Sequence, residues 1–247
     1  MSSSSIKKSK KSKKEKQNKT DNVFLYALFN IRNIVMDMLS DRGYTESIKK
    51  NYSDITFDEF EKLYTEQNIN IYAYKTENDI TTQCIVYFVD PNSMAGKNKQ
   101  QFGVLASSIE KTFAKDSNIN LIFIADDKEV NPQMSNIEKY VSSYNLTYNE
   151  INPSEYRMIA ELFNYSAVSI NITKHDLVPI HILLKDEEVE AVLREKSVGK
   201  NNLPKIEDTD PICKYYGGKI GDVFKIFRKS PTTGISPPVY RVVVKGA

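Results

Sequence analysis

The segment Asn120–Ala125 reads Asn-Leu-Ile-Phe-Ile-Ala, and after Asn120 it offers no polar side to solvent. Six residues fall far short of the roughly 20 a bilayer span needs. A short run of this kind is a strand covered on both faces, the signature of a sheet with helices packed on it. The flanking sequence supplies those helices. Phe24, Leu28, Ile31, Val35 and Met38 form one stripe across Asp21–Arg42. Thr20 or Asp21 can cap its start, and Gly43 its end. Thr56 and Glu59 are spaced as a capping box ahead of Phe60 and Leu63. Ile69–Lys75 and Thr82–Val89 read as strands, the second closed by Asp90, Pro91 and Asn92. Gln101–Phe113 is amphipathic, Pro132 suits the first turn of a helix continued by Ile137, Tyr140 and Val141, and Leu146–Ile151 reads as a further strand. The expectation for residues 21–170 is an α/β domain, a mixed sheet with flanking helices.

Residues 171–247 carry a different pattern, expected to form a small α+β domain. His175–Leu184 looks extended. Asp186–Lys196 is a short helix, acidic at its start and basic at its end, which suits the helix dipole. Asp210-Pro211 opens another helix, and Gly217 and Gly218 stop it. Gly221–Arg228 and Val239–Val244 are strand-like. The full length of 247 residues accommodates both domains.

The net charge of +2 conceals a separation along the chain. Residues 1–20 hold eight Lys and one Glu, a balance of +7; residues 21–170 sum to −8 and residues 171–247 to +3. The first segment has one apolar residue after Met1, Ile6, and is expected to be disordered, since it cannot bury enough surface to offset chain entropy. It reads as an arm for nucleic acid, as a nuclear import signal, or as a solvated extension with no specific partner. No apolar stretch of signal-peptide length opens the chain, so secretion is not expected. Cys84 and Cys213 are far apart and form neither a disulfide framework nor a zinc spacing.

Chemistry-bearing motifs are scarce. His175 and His181 have no Cys or carboxylate at ligand spacing and read as structural or interfacial. No Walker A, GxGxxG or GxSxG pattern occurs, so no cofactor and no small-molecule substrate are expected. One enzyme-like arrangement survives. Asp90 follows a strand, and Asp126-Asp127-Lys128 follows another. Metal-dependent nucleases use two such carboxylates to hold a divalent cation and a Lys to orient water. The alternative function is therefore a stand-alone nucleic-acid-binding or nuclease-like protein using Asp90, Asp126 and Lys128.

The C-terminal third is more specific. His175-Asp176-Leu177-Val178-Pro179 is followed by Leu203-Pro204-Lys205-Ile206, by Asp210-Pro211 with Tyr216-Gly217, by Lys219, Gly221, Lys225, Ile226, Arg228, Lys229 and Ser230, and by Tyr240-Arg241. This ordered series resembles the C-terminal domain of the fifth subunit shared by eukaryotic nuclear RNA polymerases, and the archaeal counterpart of that subunit. Phe29, Arg32, Val35, Met38 and Asp41-Arg42-Gly43-Tyr44 look like that family's first helix and its ending. The helix–strand order up to Ala167 is similar to the eukaryotic jaw domain, which the archaeal counterparts lack. Residues 1–20 fall outside the resemblance, and Pro237-Pro238 departs from the family's hairpin.

The resemblance implies a non-catalytic subunit of a multisubunit DNA-directed RNA polymerase. Its C-terminal domain would assemble on the largest subunit, and its N-terminal domain, of nuclease-like topology without nuclease activity, would form part of the lower jaw near downstream duplex DNA. The subunit-interface residues implied are His175, Leu177, Val178, Pro179, Tyr216, Gly217, Lys219, Gly221, Arg228, Lys229 and Arg241. Pro91, Lys97, Lys99 and Pro132 would lie near DNA, in weak contact within the complex. Other polymerase subunits are implied partners, and no membrane is. A cellular copy belongs in the nucleus; a copy from a large DNA virus belongs in the virion or a cytoplasmic viral factory. Heavy use of Asn, Ile, Lys and Tyr, with no Trp, favours the viral source.

Overall fold

The computed structural model describes residues 3–44, 46–47, 55–66, 69–77, 80–89, 118–125, 158–228 and 236–246, with single positions at 139, 142, 143, 146 and 234. Contacts divide the chain into two compact units, Met1–Ile170 and Asn171–Ala247.

The first unit opens with α1, Ser3–Asp41. The helix is drawn from well before the expected Asp21. The physical reason is continuity. No Gly or Pro interrupts residues 3–41, Lys, Glu and Gln are good helix formers, and extending an existing helix costs far less than nucleating one. The second half of α1 behaves as its stripe predicts. Leu28, Ile31, Val35, Met38 and Leu39 are buried, each contributing about 1.5–3 kcal/mol by leaving water. Asn22–Asp41 is long and apolar enough to cross a membrane by length and composition alone, a property the sequence reading overlooked; here its apolar stripe is buried inside the unit. Phe29 packs on Phe57 and Phe60 of α2, Phe57–Thr65. The expected box begins α2: Thr56 Oγ1 accepts from the Glu59 amide at 3.4 Å, and the Glu59 carboxylate accepts from the Thr56 amide at 2.8 Å. The Thr56 amide, and the Thr56 hydroxyl donating to Glu59 Oε2 at 2.9 Å, hold the Glu59 carboxyl below its ordinary value.

Five strands form a mixed sheet in the order β1-β2-β3-β4-β5. They are β1 Glu46–Ser47, β2 Ile71–Glu77, β3 Ile80–Phe88, β4 Asn118–Ala125 and β5 Met158–Asn164. β1–β2 and β2–β3 are antiparallel, and β3–β4 and β4–β5 parallel. Leu121 to Ala125 of β4 are all buried, so both faces are covered. The strand expected at Leu146–Ile151 is a correction. Leu146 is helical and exposed, and the rest of that stretch lies outside the described residues. The strand beside β4 is β5, whose sequence places Glu161 among apolar residues and so breaks the alternation that marks a strand. The helix expected at Gln101–Phe113 and the start of the helix expected at Pro132 also lie outside the described residues.

The second unit is a four-stranded sheet in the order β6-β8-β9-β7. Its strands are β6 Ile180–Leu183, β7 Lys205–Glu207, β8 Val223–Phe227 and β9 Val239–Val244. Helix α3, Asp186–Lys196, contributes Val189 to a core with Leu203, Val223 and Val242. Helix α4, Pro211–Tyr216, contributes Cys213 to a second core with Ile206, Phe224, Ile226 and Val243. The expected start of α4 holds: Asp210 Oδ1 accepts from the Ile212 amide at 2.8 Å. At its end Gly217 has φ +67°, which L side chains adopt at a cost. His175–Leu184 is extended only in its second half. The Val178 amide donates to the His175 carbonyl at 2.9 Å, and the Leu177 amide to His175 Nδ1 at 3.2 Å. These bonds fold His175–Val178 into a turn before β6.

Candidate functional site

Two groups of residues singled out from the sequence receive a physical account. The first is Asp41-Arg42-Gly43-Tyr44. The Tyr44 amide bonds the Leu39 carbonyl at 2.9 Å and the Gly43 amide the Ser40 carbonyl at 2.9 Å, with Gly43 at φ +84°. This is the left-handed helix ending that glycine permits. It delivers the two neighbouring side chains onto the sheet. Arg42 makes a forked pair with Glu161 of β5, Nη1 to Oε1 at 3.0 Å and Nη2 to Oε2 at 2.8 Å. Its guanidinium also lies 5.9 Å from the Phe163 ring centre. The Tyr44 hydroxyl accepts from Asn120 Nδ2 of β4, and Lys75 Nζ of β2 sits over the Tyr44 ring while donating to the Arg42 carbonyl at 3.3 Å. Cys84 of β3 is fully buried nearby. One helix ending is thereby tied to β2, β4 and β5.

The electrostatics follow from that burial. Burial opposes the Arg42 charge, but the Glu161 carboxylate and its hydrogen bonds more than offset it and hold the guanidinium above its ordinary value. Burial pushes the Tyr44 hydroxyl up and the Cys84 thiol up to about 12. A protonated, inaccessible thiol is a packing group and not a nucleophile. Sequence reasoning found the motif but missed Lys75, Asn120 and Glu161, which lie 33 to 119 positions from their partners.

The second group is the C-terminal series. His175 and Leu177 are exposed, Leu177 at 87%, while Val178 and Pro179 are partly covered. His181 Nδ1 donates to the Pro179 carbonyl at 2.7 Å, and its ring meets Phe224 edge to face. Burial lowers its pKa. Tyr216 packs on Phe224, and Gly217 and Gly221 hold positive φ, so the fold itself accounts for these three. Lys219 and Asp222 close a turn through an amide-to-carboxylate bond of 2.7 Å, leaving Ile220 exposed. Arg228 is exposed, and Arg241 donates to the Lys205 carbonyl at 3.3 Å. Lys229 lies outside the described residues.

From the sequence, Leu177–Leu184 is apolar enough for an interface and equally suits a core strand; the register shows which side chains face out. Ile180 is opposite Phe227 and Ile182 opposite Lys225 in the β6–β8 register. These positions share one side of the sheet, with Ile180 66%, Ile182 44% and Phe227 38% exposed. Lys225 Nζ lies 5.1 Å from the Phe227 ring centre. In Ile-His-Ile-Leu every residue can be buried, so alternation could not reveal which side faces out.

Pro91, Lys97, Lys99 and Pro132 lie outside the described residues, as do Asp90, Asp126, Asp127 and Lys128. Strands β3 and β4 run side by side to Phe88 and Ile124. Among the described residues no group of three or more His, Cys, Asp or Glu could hold a metal.

Comparison with known proteins supplies the family. The family described as RNA polymerase Rpb5, N-terminal domain, matches residues 22–144, and RNA polymerase Rpb5, C-terminal domain, matches residues 170–243. The chain belongs to the Rpb5 family. A relative in Dictyostelium discoideum, DNA-directed RNA polymerases I, II, and III subunit rpabc1, is 30% identical over 208 residues, covering 84% of this chain and 92% of the relative. Archaeal relatives named DNA-directed RNA polymerase subunit Rpo5 match over a shorter length. That of Methanothrix thermoacetophila is 49% identical over 73 residues, 30% of this chain and 92% of its own length. That of Methanocaldococcus jannaschii is 43% identical over 76 residues, 31% of this chain and 96% of its own. The Rpb5 match thus spans both units described above and begins after the Lys/Ser-rich segment.

Proposed function

We propose that this member of the Rpb5 family serves transcription by placement. It is a component of a multisubunit DNA-directed RNA polymerase and not a catalyst by itself. Its C-terminal unit seats on the largest subunit and helps assembly. Its N-terminal unit forms part of the lower jaw, with Pro91, Lys97, Lys99 and Pro132 toward downstream duplex DNA and a nuclease-like strand order that carries no cleavage. Localisation follows the enzyme: the nucleus for a cellular copy, the virion or viral factory for a viral one.

The observation that carries this reading is Leu177, a large apolar residue at the tip of a tight turn and 87% exposed. After it, Ile180 and Ile182 of the edge strand β6 and Phe227 of the neighbouring β8 expose a further apolar face, the kind of surface that marks a protein interface. His175, Lys219, Arg228, Lys229 and Arg241 add basic or polar groups for an acidic neighbour, and Val178, Pro179, Tyr216, Gly217 and Gly221 shape the turns and packing that present it.

Affinity purification of the tagged chain from its own cell or virion tests the proposal. Stoichiometric recovery of the two large polymerase subunits is expected. A solitary chain would overturn the assembly role, and metal-dependent DNA cleavage abolished by Asp126→Ala would favour the nuclease-like alternative.

A further inference from the structure

We infer that residues 1–20 are an arm that binds the phosphate backbone of duplex DNA without reading its sequence. The segment carries eight Lys, at 7, 8, 10, 11, 13, 14, 16 and 19, against the single acid Glu15. It lies on the same helix as the buried stripe from Leu28 to Leu39, so the arm is continuous with the core of its unit. It precedes the Rpb5 match, which begins at residue 22.

The pattern selects the ligand. The Lys residues recur at short, irregular spacings throughout the segment. Ile6 is the one apolar residue after Met1, so no apolar stripe exists to enter a protein groove or a lipid surface. Like charges three and four positions apart repel one another on a helix, and a polyanion relieves that repulsion. Lys7 to Lys19 spans about 18 Å of helix axis, over which duplex DNA presents roughly ten phosphates. Lys and Ser donate to phosphate oxygens, while the segment has no Arg or aromatic residue to read or stack on bases. Residues 21–170 sum to −8, so they cannot supply this attraction themselves. The phosphate chemistry stands on the charge pattern alone; the choice of DNA over RNA rests on the proposed polymerase role.

The test uses the full chain and a fluorescent 20-base-pair DNA duplex, with binding followed by anisotropy from 50 to 200 mM salt. The parent is expected to lose affinity by about 10³-fold or more over that range. Replacing all eight Lys by Gln should weaken binding at 50 mM salt at least tenfold and flatten the salt slope by about 0.9 for each phosphate no longer neutralised. Replacing all eight by Arg should restore both. Far-UV circular dichroism and the melting midpoint check that the Gln variant keeps its core. Parent and Gln variant binding within twofold of each other would overturn the inference. So would tighter binding to an equivalent RNA duplex, or to vesicles containing 30% phosphatidylserine. Neither result bears on copurification with the polymerase, so this inference and the assembly role fail separately.

Discussion

Removing the Arg42 guanidinium would leave the Glu161 carboxylate, three-quarters buried, with its forked partner gone. Breaking a buried pair from one side costs more than deleting both members, because the remaining charge is stranded. Arg42→Ala should therefore lower stability by about 3 kcal/mol, read as a shift in the urea midpoint at constant slope. Adding Glu161→Gln should recover part of that loss. The neighbouring thiol and phenol make a second prediction. Both have folded pKa values raised by burial above their ordinary values of 9.0 and 10.0. Below pH 9 both are protonated whether the chain is folded or not, and their contribution is fully present. As pH climbs through the ordinary values toward about 12, the unfolded chain releases protons that the folded one retains, and the contribution is lost. The melting midpoint should fall steeply above pH 9, and less so in Cys84→Ser with Tyr44→Phe.

At the level of elements, sequence was most informative where local signals sufficed. The capping box at Thr56, the helix Asp186–Lys196 and the strand Val239–Val244 are set by caps, charge order and β-branched runs. It was least informative where tertiary contacts decide. Strand β5 carries Glu161, which looks misplaced until Arg42 is seen opposite it, and the His175–Val178 turn is closed by one backbone bond and by the His175 ring accepting from the Leu177 amide, a cap outside the usual turn residues. The same distinction separates the glycines. Gly217 is a readable helix stop. Gly218 is needed for space: an added Cβ would sit 2.8 Å from Cys213 Sγ and 3.1 Å from the Phe224 ring. Gly218→Ala should cost about 1–3 kcal/mol by overpacking, and Cys213→Ala in the same chain should relieve the clash at the sulfur. Unfolding curves of the single and double variants check this. Of the candidate assembly surface, Leu177 was legible as part of a motif, whereas Ile180, Ile182 and Phe227 needed the strand register to show which way they face.

For the whole molecule, charge and apolar exposure are distributed unequally. Residues 1–20 are strongly basic, residues 21–170 are acidic, and β6 with its neighbour β8 exposes Ile180, Ile182 and Phe227. A chain built this way should associate when its partner is missing. Ile180→Asp with Ile182→Asp should reduce self-association in sedimentation at raised concentration, and should cut recovery of the large polymerase subunits at least tenfold. Because both positions are exposed, the melting midpoint should move by little. A large drop in that midpoint would show that the face supports the fold and is not a seat for a partner.

The bond between Arg42 and Glu161 also has a consequence in time. Its two ends are separated by 119 positions. At about 5–20 residues per second on the ribosome, a guanidinium destined for the interior waits several seconds or more for its counter-charge to emerge. The first helix can form early, but the sheet cannot close until β5 has been made. Nascent chains stalled before residue 161 should therefore be the most vulnerable to proteases and the most in need of chaperones.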